Sequence, residues 1–124
     1  MKATSDKYTA ENKKGSLLNG GKWIRNEKRL AIYLRDEFHC VYCNKNLHNS
    51  DPFDITLDHV KCRSRRGSNS ETNLITACRS CNSSRGNTKI NDWADASTKK
   101  AIRRQTSRKL GKYLKLAKDL ISKK

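Results

Sequence analysis

Apolar residues recur at helical spacing at Leu30, Ala31, Tyr33 and Leu34. With Asn26 as a cap and Glu27 in the first turn, that spacing predicts a helix near Asn26–Asp36. Trp23 and Ile24 before it, and Phe38 after it, are expected to close over the same core. Phe53, Ile55 and Leu57 alternate with polar neighbours, which predicts a strand that can extend to Val60. Leu74–Ala77 predicts its hairpin partner. Arg63–Ser70 between them reads as a turn, with Gly67 and Asn69 taking the awkward dihedrals. A short helix over Arg79–Gly86, ended by the glycine, follows, and Trp93 reads as an anchor on this module. From Ser97 onward Ile102, Leu110, Leu114, Ala117 and Ile121 fall near one side of a basic helix. Gly111 is the point where that helix divides in two. Met1–Lys22 shows no periodicity and reads as a flexible basic arm.

Hydrophobic residues make up 34% of the 124 residues and charged residues 32%, too polar a balance for a core that stands unaided. A chain of this kind needs a staple. Five cysteines supply one. Met1–Gly20 has no apolar signal-peptide core, and no apolar run is long enough to span a membrane. The expected setting is therefore intracellular, where paired thiols favour zinc over disulfides.

Cys40 and Cys43 form one C-x-x-C pair and Cys78 and Cys81 a second. Two such pairs match the ligand spacing of a tetrahedral four-cysteine Zn²⁺ site. Four protein ligands leave no open position, so this ion is structural. Cys62 is left over and reads as a small core residue. His39 reads as packing beside the first pair, and His48 as exposed.

Charge points to the partner. Twenty-eight Lys and Arg against twelve Asp and Glu give +16, which attracts polyanions, nucleic acid first. With so few aromatic residues an anionic membrane surface is the poorer fit.

A polar group surrounds the second cysteine pair. Asp58 and His59 end the first strand with side chains on opposite faces unless the strand bends. A carboxylate can hold a hard cation while a nearby imidazole takes a proton from water. Asn82, directly after Cys81, is placed to add a second oxygen ligand. Asn73 is placed to hydrogen-bond the backbone or the imidazole of His59. The chemistry implied is metal-assisted phosphodiester hydrolysis. Arg63, Arg65 and Arg66, beside that pair, are expected to track a phosphate backbone.

Asp58-His59, Gly67, Asn73-Leu74 and Cys78-Arg79-Ser80-Cys81-Asn82 together resemble the HNH endonucleases, the ββα-metal or His-Me finger nucleases. The preceding segment KRLAIYLRDEFHCVYC is similar to the helix and first knuckle of the zinc-containing, free-standing members. The resemblance covers Trp23 to about Asn87. It implies a small α+β fold: a ββα-metal hairpin-helix module stapled by the four-cysteine zinc site, with flanking helices. It implies His59 as general base, Asn73 as the orienting residue, and Asp58 and Asn82 as ligands of a catalytic Mg²⁺ or Mn²⁺. Asn82 stands where the family's name has His, an HNN form that leans towards a hard cation. Arg85 stands where related sequences often carry Lys before Gly, and is expected on phosphate.

The expected organisation is a basic arm over residues 1–22, a zinc-stabilised HNH nuclease module over 23–96, and one or two basic helices over 97–124. DNA, cut with low sequence specificity, is the expected substrate. The tails also suit docking of a partner protein in a DNA-processing complex, and small chains of this type resemble phage or mobile-element nucleases. A non-catalytic zinc-stabilised nucleic-acid-binding module shares the clip and the charge. It has no need of Asp58, His59, Asn73 and Asn82 together.

Overall fold

The computed structural model describes residues 23–122. The arm expected over residues 1–22 lies outside them, as do Lys123 and Lys124. Helix α1 spans Asn26–Arg35, with every residue from Arg29 to Arg35 buried. Its N-cap is Arg25, which makes no side-chain cap bond. Asn26 is thus the first helical residue and not the expected cap. Glu27 still places negative charge at the positive end of the helix. After Asp36 the chain reverses through Glu37 (φ 55°) and Phe38 (φ 57°). Burial of the Phe38 ring offsets that backbone strain.

Strand β1 (Ile55–His59) pairs antiparallel with β2 (Leu74–Cys78), in register from Ile55 opposite Cys78 to His59 opposite Leu74. Phe53 is not part of the strand. It sits in a single 3₁₀ turn, Pro52–Asp54, whose cap is Asp51, and its ring is 67% exposed. The Pro favours the turn and the Asp51 carboxylate accepts the Phe53 N–H at 2.9 Å, which outweighs the alternation. In the connection between the strands, the left-handed residue is Arg66 (φ 67°), not Gly67 or Asn69. Gly67 is required for a different reason: a Cβ there would lie 1.7 Å from the Lys61 carbonyl oxygen.

Helix α2 (Arg79–Arg85) starts at Cys78 and stops at Gly86, whose φ of +54° suits glycine. Helices α3 (Ile90–Trp93), α4 (Ala96–Thr106) and α5 (Gly111–Ser122) follow. The basic stretch does divide, with Gly111 opening the second helix. Helix α5 packs on α1, and α4 on β2. Ile102, Ala117 and Leu120 from these helices, and Leu110 between them, join Leu30, Ile32, Tyr33, Leu74 and Ile75 in one core.

A buried ion pair fixes α1 to the hairpin. Arg35 Nε and Nη2 donate to the two Asp36 carboxylate oxygens at 2.8 and 3.0 Å. Arg35 also donates to the carbonyls of Glu71 and Leu74, while Asp36 accepts the Thr76 N–H at 2.9 Å. The result is a small α+β protein with a two-stranded antiparallel sheet, helices around it and four clustered cysteines. No helix among the described residues is long and apolar enough to cross a membrane.

Candidate functional site

The four paired cysteines come together at the start of α2. Cys40 and Cys43 lie on the loop after α1, and the Val41 N–H donates to the Thr76 carbonyl at 2.9 Å, which ties that loop to β2. The sulfurs of Cys40, Cys43, Cys78 and Cys81 lie within 4.8 Å of one another. In each pair the N–H of the second cysteine points at the sulfur of the first, at 3.5 Å in one and 3.4 Å in the other. Burial pushes the Cys40 thiol up to about 11, with the charge of Cys43 adding to it. Burial, the Cys78 hydrogen bond and the charges of Cys40 and Cys43 push Cys81 higher still. Cys78 moves down, because hydrogen bonds from Cys81, Cys40 and Cys43 outweigh its burial. Four thiolates this close need a cation between them, and an all-sulfur tetrahedral set is what Zn²⁺ takes. The cluster could therefore hold zinc. The fifth cysteine, Cys62, is buried and accepts a weak hydrogen bond from Arg85 at 3.6 Å.

From the first cysteine pair a side chain reaches the polar group. Tyr42, between Cys40 and Cys43, donates its hydroxyl to Asp58 Oδ2. Burial, then the charge and hydrogen bond of Asp58, hold the Tyr42 phenol far above its ordinary range, so it stays a donor. Arg85 Nη1 donates to the same Asp58 oxygen at 3.0 Å and to the His59 carbonyl at 2.6 Å. Its other nitrogens donate to the carbonyls of Val60 and Thr88. Arg85 is 1% exposed, which corrects the expectation of a phosphate contact. Its guanidinium is consumed inside the protein and fixes the end of β1 from beneath. Tyr42 itself packs edge-on against Trp93, ring centroids 4.8 Å apart, so Trp93 anchors this network as expected.

Asn82 projects from the first turns of α2 onto β1. Its Nδ2 donates to Thr56 Oγ1 at 2.9 Å and to the Leu57 carbonyl at 3.3 Å. The carbonyls of Leu57 and His59, two residues apart, face the same way along the strand. Asn82 and Arg85 therefore line one edge of β1. Thr56 and Asp58 share a strand face, so the Asn82 amide and the Asp58 carboxylate are neighbours on it. Among the described residues, Asp58 Oδ1 and Asn82 Oδ1 accept no hydrogen bond, whereas the other polar atom of each side chain is engaged. One carboxylate and one amide oxygen make a hard donor pair that fits Mg²⁺ or Mn²⁺.

The His59 side chain meets other partners than Asp58 does. Its Nε2 lies 2.8 Å from Asn69 Oδ1, and its ring is 5.0 Å from that of Trp23. Asn73 makes no hydrogen bond to His59. Its Oδ1 accepts the Lys61 N–H at 2.8 Å, and its Nδ2 donates to the carbonyls of Lys61 and Ser68 at 3.1 and 2.8 Å. Asn73 thus braces the loop that carries Arg63, Arg65 and Arg66, and the imidazole is held by Asn69 instead. Those three arginines are exposed beside the end of β1. Tyr42, Asn69 and Trp23 were the residues that sequence patterning missed at this site. Trp23 was assigned to the core, but only Ile24 enters it, and Trp23 is 39% exposed.

The HNH endonuclease family matches residues 40–88, the span that holds both cysteine pairs, Asp58, His59, Asn73 and Asn82. Over those residues the chain is similar to HNH endonucleases. A CRISPR-associated endonuclease Cas9 of Corynebacterium diphtheriae is 36% identical over 61 residues. The match takes in 48% of this chain and 5% of that protein's length. No solved structure matches the chain. The match over residues 40–88 supports a nuclease function in general terms. Trp23 and α1 lie outside it and still complete the surroundings of His59.

Proposed function

We propose that the chain is a metal-dependent endonuclease that hydrolyses DNA phosphodiester bonds by nicking or double-strand cleavage. The observation that carries this reading is the pair of unengaged oxygens, Asp58 Oδ1 and Asn82 Oδ1, at the same strand end as the His59 imidazole. Asp58 and Asn82 would hold a divalent cation between β1 and α2. When bound, that cation supplies positive charge to the scissile phosphate and the leaving 3′ oxygen. His59 takes the proton of the attacking water, Asn73 keeps the arginine loop folded, and Arg63, Arg65 and Arg66 contact the phosphates. Tyr42 and Arg85 hold Asp58 Oδ2, which turns the other carboxylate oxygen outward. Cys40, Cys43, Cys78 and Cys81 would hold the structural zinc, and reduced thiols used in this way fit an intracellular setting.

The Corynebacterium diphtheriae relative is a CRISPR-associated endonuclease, and the +16 charge favours DNA as the substrate. A direct test is metal titration of the zinc-loaded protein by calorimetry with Mn²⁺. One site is expected beyond zinc, lost in Asp58→Ala and weakened in Asn82→Ala. Unchanged Mn²⁺ binding in both variants would remove the proposed catalytic cation site.

A further inference from the structure

We infer that Asn69 is the positioning residue of His59 and fixes which ring nitrogen acts as the base. This rests on the nuclease reading of His59 and assigns a role that the orienting Asn73 does not fill. The orientation of the Asn69 amide follows from its partners. Its Nδ2 lies 3.3 Å from the Trp23 carbonyl, which can only accept, and its Oδ1 lies 3.4 Å from Arg63 Nη1, which can only donate. The reverse orientation would set oxygen against oxygen and N–H against N–H. The atom facing His59 Nε2 at 2.8 Å is therefore an oxygen, and Nε2 must carry the proton. In the neutral ring this leaves the lone pair on Nδ1, away from Asn69.

The support around Asn69 is built from elements outside the HNH span. Lys28 of α1 donates to the Asn69 backbone carbonyl at 2.8 Å. The Trp23 ring packs on the imidazole at 5.0 Å, tilted by 38°, and the Arg29 guanidinium sits 5.2 Å from the centre of the indole. The imidazole is thus held at one nitrogen and along one face. When Nδ1 takes the proton of water, Nε2–H keeps its acceptor, and the Asn69 carbonyl dipole faces the new positive charge. No rearrangement of the ring is needed at the moment of proton transfer.

The test combines ¹⁵N NMR of histidine-labelled protein with cleavage kinetics. In wild type, at a pH where His59 is neutral, a single tautomer with the proton on Nε2 is expected. In Asn69→Ala the ring should sample both tautomers. There kcat should fall on the order of 10-fold or more, within the ~10²–10⁴-fold that a general base contributes, with KM and DNA affinity unchanged. Asn69→Asp keeps an acceptor and should restore both the single tautomer and most of kcat. An Nδ1–H tautomer in wild type would overturn the proposal, as would an unchanged tautomer and kcat in Asn69→Ala. A wild-type protein with the expected tautomer but no cleavage of any DNA would instead sink the nuclease reading and leave the positioning role standing.

Discussion

At the scale of single residues, Arg85 shows how far a side chain's chemistry depends on where the chain puts it. From sequence it is a cation at a helix end beside a glycine, in a basic protein. In the fold it is buried and bonded to Tyr42, Asp58 and the carbonyls of His59, Val60 and Thr88. Arg85→Met leaves the Asp58 charge unpaired, so a loss of about 3–5 kcal/mol in chemical denaturation is expected. A stable variant with weakened DNA binding would mean that Arg85 faces phosphate. Gly67 is the second residue whose reason was hidden. Its place in a turn was legible, but the requirement is that a Cβ there would fall 1.7 Å from the Lys61 carbonyl oxygen, a clash that no local pattern reports. Gly67→Ala should therefore lower the melting temperature and reduce cleavage together, since the displaced Lys61 is a hydrogen-bond partner of Asn73. A variant with wild-type melting would show that the loop relaxes freely.

At the scale of elements, the helix near Asn26–Asp36, the hairpin and the short helix ending at Gly86 were all legible from periodicity and turn chemistry. So was the cysteine clip, because twin C-x-x-C spacing encodes its own geometry. What sequence could not show was the cross-talk between elements: Tyr42 reaching Asp58 from the first cysteine pair, and Asn69 reaching His59 from the turn. Both depend on long-range packing of residues with no pattern of their own. The clip carries a pH prediction with a definite sign. Burial raises the Cys40 thiol to about 11, so without metal it is protonated at neutral pH, and zinc must displace protons. Zinc affinity measured by chelator competition should rise from about pH 6 to about pH 8, and Cys78→Ser should lose both zinc and the fold. Affinity independent of pH would contradict binding through thiolates.

For the whole molecule, the basic C-terminal helices are part of the core: their apolar residues belong to it, and α5 lies on α1. Deleting everything after Ser97 would therefore strip the core as well as the charge. Neutralising exposed cations is the cleaner experiment: Lys100, Arg103, Arg104, Lys115 and Lys118 all face solvent. Changing these five to Gln should leave melting nearly unchanged and flatten the salt dependence of DNA binding. An unchanged salt slope would mean that DNA lies elsewhere on the protein.

In the proposed reaction His59 takes the proton from water, and Asp58 and Asn82 at the same strand end hold the cation. Plasmid cleavage in Mg²⁺, Mn²⁺ and EDTA, run beside His59→Ala, is the test of that reaction. Wild type should cut with either metal and not in EDTA, and His59→Ala should lose about 10²–10⁴-fold at unchanged DNA affinity. Cleavage by His59→Ala at the wild-type rate, or by wild type in EDTA, would contradict the proposed reaction.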